Sequence, residues 1–168
     1  MEVGIIGATG YGGIELIRFL HQHPYVKQIQ LFTSSDEGAI FSERYGHLKT
    51  IVDTPLQKID QQAIQELDVV FTSTPSGVTT NLLPALLNGK TKFIDLSGDF
   101  RLKDRASFEK WYKKTAAEQM YLNEAVYGLS EWNEEAIHKS NFIANPGCYP
   151  TAVLLSILPL LKEKLIDP

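Results

Sequence analysis

Two rhythms of apolar residues alternate along the chain. Short continuous or alternating runs at Val3–Ile6, Val26–Phe32, Asp68–Thr72, Lys92–Leu96 and Asn141–Ala144 read as strands. Between them apolar residues recur at helical spacing: Ile14, Leu16, Ile17, Phe19 and Leu20 in one stretch, Ile59, Ala63, Ile64 and Leu67 in another. His23-Pro24 stops the first of these helices, because proline cannot continue it and restricts the residue before it. A third helix is expected over Val78–Asn88, with Asn88-Gly89 as its C-cap. Residues 103–120 read as one outer helix carrying Phe108, Trp111 and Tyr112 on a single face. An extended Ala125–Leu129, a turn and a short helix around Asn133–Ile137 follow. Gly38–Pro55 is irregular, with Phe41, Tyr45 and Leu48 packing at most a short helix. Strand and helix alternation makes parallel strands with right-handed crossovers the expected arrangement.

Composition narrows the class. A chain of 168 residues is long enough to bury the core of one ordinary domain. Its net charge of −4, with no basic run, argues against a nucleic-acid surface. No apolar stretch approaches the roughly 18 residues needed to cross a bilayer, so no membrane role is expected. The N-terminus runs straight into a strand, with neither a basic segment nor a cleavage site ahead of it. The single cysteine fits a reducing, cytoplasmic setting. His21, His23, His47 and His138 show no metal-ligand spacing with one another or with Cys148, so no metal site is expected.

The first strand breaks into Gly7-Ala8-Thr9-Gly10-Tyr11-Gly12-Gly13 and a helix follows at once. Glycines there let a phosphate approach bare N–H groups, and the helix N-terminus adds unpaired donors and partial positive charge. Strand, glycine loop and helix in that order at the head of an alternating chain predict a doubly wound, mostly parallel Rossmann-type α/β fold with a dinucleotide site. Thr33-Ser34-Ser35 ends the second strand, where such folds probe the adenosine ribose. Three hydroxyls favour the 2′-phosphorylated cofactor NADP(H), whereas an inward carboxylate from Asp36 or Glu37 favours NAD; the residues leave both open. A second loop of small residues, Ser73-Thr74-Pro75-Ser76-Gly77, is expected beside the first, as a further cofactor contact or as a plain crossover turn. Asp99 and Arg101 form a D-x-R that reads first as a structural ion pair and second as a substrate contact.

Asn145-Pro146-Gly147-Cys148-Tyr149-Pro150-Thr151 follows the last strand. Pro150 reads as the first helical residue, placing Cys148 just outside a helix N-terminus, where the dipole favours thiolate over thiol. Pro159 is expected to bend or end that helix. A lone cysteine is often a small buried hydrophobe. This one sits between turn formers on the edge expected to hold the cofactor, which suits covalent capture of a carbonyl followed by reduction.

Four segments, Gly7–Gly13, Asp95–Leu102, Tyr127-Gly128-Leu129-Ser130-Glu131 and Asn145–Thr151, together resemble the N-acetyl-gamma-glutamyl-phosphate reductases, relatives of the aspartate-semialdehyde dehydrogenases. The resemblance implies an NADPH-dependent step of arginine biosynthesis in which Cys148 attacks an acyl phosphate, phosphate leaves, and the thioester is reduced to a semialdehyde. It further implies that Gly7–Gly13 hold the pyrophosphate, Ser34 and Ser35 meet the adenosine phosphate, and Ser73–Gly77 line the nicotinamide side; Arg101 stays the candidate substrate contact read from the D-x-R pair alone. By the same resemblance, a second α+β domain with an acid/base histidine is expected, and the full-length form is expected to be a homo-oligomer. Residues 1–148 are accordingly expected to form the nucleotide domain and 149–168 to begin the second. A non-catalytic NAD(P)-binding sensor that docks a partner, and an aspartyl-phosphate reductase, are the competing readings.

Overall fold

The computed structural model describes residues 1–167. Seven strands are laid down in chain order: β1 Glu2–Ile6, β2 Gln28–Thr33, β3 Gln57–Lys58, β4 Val69–Thr72, β5 Lys92–Asp95, β6 Val126–Tyr127 and β7 Phe142–Ala144. All pairings between them are parallel, in the order β3-β2-β1-β4-β5-β7-β6. The winding reverses between β1 and β4, so the loops after these two strands open a crevice at the carboxyl edge of the sheet. This is the doubly wound Rossmann-type α/β architecture.

Helices cover both faces, because each side of a parallel sheet must be buried. On one side Ile17 of α1 (Tyr11–His21) packs with Ile5, Leu31, Phe41, Leu48 and Leu56. On the other, Ile64 of α3 (Gln61–Gln65) and Leu83 and Leu86 of α4 (Thr79–Leu86) pack with Ile6, Phe32, Val70, Phe93, Phe100 and Phe142. The segment expected to be irregular holds α2 (Phe41–Arg44) and a 3-10 turn at Gly46–Leu48, both anchored by buried apolar side chains.

Several elements differ from the sequence expectation, each for a local reason. The outer helix over 103–120 is two helices, α5 (Arg105–Tyr112) and α6 (Gln119–Glu124). Lys113 adopts a left-handed conformation between them and ends α5. Phe108 and Tyr112 stack with ring centres 4.5 Å apart, while Trp111 stands 71% exposed on another face. Helix α4 ends at Leu86, and Asn88 instead closes the following turn by accepting the amides of Lys90 and Thr91. The short helix after β6 starts earlier than expected, as α7 (Ser130–Lys139). The last helix, α8 (Cys148–Lys162), begins at Cys148 itself with Gly147 as N-cap, so Pro150 falls within the first turn, where its missing N–H costs nothing. It passes through Pro159 without ending.

Candidate active site

The loops after β1, β2 and β4 enclose a cleft of about 440 Å³ lined by Gly7, Thr9, Gly10, Thr33, Ser34, Ser35, Ser73, Thr74 and Pro75, with Ile6, Ile59, Val78 and Leu82 as its apolar wall. Eight of the residues singled out as cofactor contacts therefore meet in one place. Gly7 has a φ of +85°, and a Cβ there would collide with the carbonyl oxygen of Ser73. A Cβ on Gly13 would lie 2.6 Å from both the Cα of Ala8 and the carbonyl oxygen of Gly7. Bare backbone at these positions lets the first loop fold onto the second and onto the start of α1. Gly10 is different. A Cβ there meets protein no closer than 3.6 Å, yet Gly10 lines the cleft and serves as N-cap of α1.

The remaining expected contacts are placed elsewhere. Ala8 is buried among the residues under α1, and Tyr11 is 93% exposed at the head of that helix. Gly12 packs against the side chain of Ser73, where a Cβ would come within 2.6 Å of Oγ. Ser76 and Gly77 leave the cleft and line a separate cavity of about 540 Å³ with Thr80, Asn81 and Lys114. The cause is Asp99, which is fully buried. Its carboxylate accepts from Ser76 Oγ at 2.8 Å, the Gly77 amide at 2.7 Å and the Thr80 amide at 3.0 Å. These bonds satisfy donors at the start of α4 and pull the second half of the loop toward the end of β5.

No ion pair joins Asp99 to Arg101 among the described residues. Arg101 instead binds two strand ends: Nε donates to the Asn145 carbonyl at 2.7 Å, and Nη2 to the Leu96 carbonyl at 2.8 Å. Its Nη1 lies where a Cβ on Gly147 or Gly98 would come within 3.1 Å. The guanidinium thus sits beneath the turn that carries Cys148. Burial raises the phenol pKa of Tyr127 in the same neighbourhood, against the opposing positive charge of Arg101. At the end of β5, Asp95 accepts from Thr72 Oγ1 at 2.7 Å and from Ser97 Oγ at 2.8 Å. Desolvation raises its pKa, outweighing the bonds from Thr72 and Ser97 that lower it.

Cys148 is exposed, and its helix begins directly beyond the end of β7. Because every strand runs in the same direction, this edge is also the one that carries the cleft. The ends of β4 and β7 are two strand spacings apart, about 10 Å at about 4.8 Å per strand. The first helical amides beside the sulfur have no intrahelical acceptor.

Two residues at the cleft carried no recognisable sequence signal. The Tyr45 hydroxyl donates to the Thr9 carbonyl at 2.6 Å, fixing the glycine loop from outside. Arg44 pairs with Asp36 at 3.1 Å, next to Ser35. Both lie in the segment that periodicity left irregular. No group of His, Cys, Asp and Glu able to hold a metal occurs among the described residues, and no described helix is long and apolar enough to cross a membrane.

The family model for the semialdehyde dehydrogenase NAD binding domain matches residues 2–140. The N-acetyl-gamma-glutamyl-phosphate reductase of Geobacillus sp. (strain WCH70) is 54% identical over 99% of this chain and 49% of its own length. That of Bacillus subtilis (strain 168) is 49% identical over the same shares. The chain spans about half the length of these curated relatives. Among solved structures, aspartate semialdehyde dehydrogenase II of Vibrio cholerae superposes with a TM-score of 0.65 at 19% identity, over 96% of this chain and 46% of that one. The aspartate semialdehyde dehydrogenase of Candida albicans with NADP gives 0.64 at 17%, over 96% and 47%. At such identities these two comparisons speak to the fold.

Proposed function

The chain belongs to the semialdehyde dehydrogenase NAD-binding-domain family, and we propose that it is the cofactor half of an N-acetyl-gamma-glutamyl-phosphate reductase using NADPH, with Cys148 as nucleophile. Family membership makes it a nicotinamide-cofactor-binding domain whose relatives are oxidoreductases. One observation carries the finer reading: an exposed sulfur heads α8 on the same sheet edge as the glycine-walled cleft.

The residues of the cleft fit a dinucleotide. Gly10 is not required by packing, since a Cβ there meets no close protein atom, but it would project where a phosphate must approach the amides of α1. Gly7, Thr9 and Gly10 would hold the pyrophosphate, Ser34 and Ser35 the adenosine end, and Ser73, Thr74 and Pro75 the nicotinamide side. Ser76 and Gly77 would support that side indirectly, through Asp99. The chemistry supplied by a bound nicotinamide is transfer of a hydride equivalent.

In the proposed step the Cys148 sulfur adds to the acyl carbon of the acyl phosphate. The bond from that carbon to the phosphate oxygen breaks, and phosphate leaves with the electron pair, forming a thioester on Cys148. After reduction the carbon–sulfur bond breaks, returning the thiolate and releasing the semialdehyde. The free amides at the head of α8 suit the negative charge that develops on the carbonyl oxygen. Arg101 places a full positive charge beneath Gly147, and its Nη1, which donates to no group among the described residues, would meet the phosphate.

Helix α8 supports the proposed boundary at residue 148. None of its residues is buried, and Val153, Ile157 and Leu160 are exposed, as expected of a helix covered by a second domain (Pro168, the last residue assigned to it, lies outside the described residues). Homo-oligomers of the full-length protein and a cytoplasmic setting belong to the same proposal. The test is mass spectrometry of the full-length protein mixed with N-acetyl-glutamyl phosphate and no cofactor. An acyl adduct on the Cys148 peptide, absent in Cys148→Ser, is expected; an unmodified Cys148 overturns the reading.

A further inference from the structure

At the β2 end of the cleft, one carboxylate oxygen of Asp36 accepts two bonds: from Ser35 Oγ at 3.0 Å and from Arg44 Nη1 at 3.1 Å. Ser35 lines the cleft, so a hydroxyl and a guanidinium converge on an anionic oxygen at its rim. The pair has little value for the fold. Arg44 and Asp36 side chains are 56% and 40% exposed, and solvent screens pairs of that kind so that they add little to stability. The placement of Arg44 is nonetheless controlled. Its neighbour Tyr45 bonds the Thr9 carbonyl of the glycine loop, and the guanidinium lies over the Tyr45 ring at 5.9 Å. Consecutive residues of one segment therefore brace the phosphate loop and reach the turn that meets the adenosine ribose in this fold.

We propose that Arg44 is the residue that selects the 2′-phosphorylated dinucleotide, Asp36 acting as a built-in competitor that the 2′-phosphate displaces. The inference rests on the cleft being the nucleotide site. A phosphate offers Arg44 more charge and a bidentate geometry that the carboxylate, bound through a single nitrogen, does not use here. Ser35 Oγ, released from Asp36, donates to the same phosphate. Without a 2′-phosphate, Asp36 keeps Arg44 and the adenosine end gains no ionic contact.

The experiment is fluorescence titration of this chain with NADPH and with NADH, and displacement of NADPH by adenosine 2′,5′-bisphosphate. Wild type, Arg44→Met, Arg44→Lys and Asp36→Asn are compared after thermal melts confirm folding. Arg44→Met is expected to weaken NADPH and the bisphosphate tenfold or more and NADH twofold or less. Arg44→Lys should recover part of the loss, and Asp36→Asn should tighten NADPH severalfold. Equal losses for both dinucleotides, unchanged NADPH binding in Arg44→Met, or a loss of NADH binding confined to Asp36→Asn overturns the proposal and leaves the cleft reading intact. A wild-type chain that binds neither dinucleotide removes the cleft reading and this inference together.

Discussion

Arg101 Nε donates to the carbonyl of Asn145 at 2.7 Å, tying the loop after β5 to the turn that presents Cys148. A second bond from the same guanidinium reaches Leu96 at 2.8 Å. The D-x-R pair of the sequence is thus divided: Asp99 organises the start of α4, and Arg101 organises the start of α8. Replacing Arg101 with Met keeps the stem and removes both bonds. Hydrogen bonds involving a charged group contribute about 1.5–3 kcal/mol, so a loss of about 2 kcal/mol in denaturant unfolding is expected. Amide exchange over Gly147–Thr151 should accelerate more than exchange in β1. Equal protection in both regions would show that Arg101 does not hold the turn.

The glycines of the first loop separate folding from binding. Gly7→Ala forces a side chain into the Ser73 carbonyl at a φ of +85° and should cost more than about 2 kcal/mol or prevent folding. Gly10→Ala meets no close protein atom and should cost about 1 kcal/mol at most, as a weaker N-cap. It should nevertheless weaken NADPH at least tenfold, read by fluorescence titration beside the thermal melt. Retained affinity in Gly10→Ala would move the pyrophosphate away from that helix terminus.

Asp95 gives a pH signature. Burial raises its folded-state pKa above the ordinary 3.8, so the native state holds its proton to higher pH than the unfolded chain does. Its contribution is then most favourable below 3.8 and is lost progressively as pH rises toward the folded pKa. Asn can keep the bonds to Thr72 and Ser97 without a charge. Asp95→Asn should therefore gain stability relative to wild type as pH climbs from about 4 to 7. Paired urea titrations across that range read the difference; a gap that is constant or shrinks with pH contradicts the assignment.

Tyr45→Phe removes only the hydroxyl that holds the Thr9 carbonyl, in a ring already packed on Phe41 with centroids 4.9 Å apart. A stability loss of about 1 kcal/mol is expected, with NADPH and NADH weakened by the same factor because the pyrophosphate is common to both. A selective effect on one dinucleotide would assign Tyr45 to the adenosine end instead.

Strong local patterns made most of the architecture readable. The runs Val3–Ile6, Val69–Thr72 and Lys92–Leu96 are apolar enough to be central strands and little else, and the glycines between Ile6 and Ile14 fixed the first crossover. The two-residue strand β3 escaped because its pairing depends on a neighbouring strand, with no periodicity of its own, whereas β6 falls within the extended Ala125–Leu129. Trp111 misled the reading of 103–120, since helical spacing does not reveal the left-handed Lys113 that ends α5. In the site, Gly7, Ser35 and Ser73 were visible through loop position. Arg44 and Tyr45 were not, because they act across the fold from a segment held by the burial of Phe41 and Leu48. The division of Ser73–Gly77 between two cavities needed Asp99 in place, and no spacing rule supplies that.

The proposed sharing of one sheet rim by a nucleotide cleft and a reactive sulfur makes each site report on the other. That sharing is tested most directly by titrating this chain with NADPH while following nicotinamide fluorescence and the rate of Cys148 alkylation by iodoacetamide. Saturable binding is predicted, with a change in the alkylation rate that is half complete at the same NADPH concentration. NADPH that binds and leaves Cys148 alkylation untouched at saturation would contradict the account.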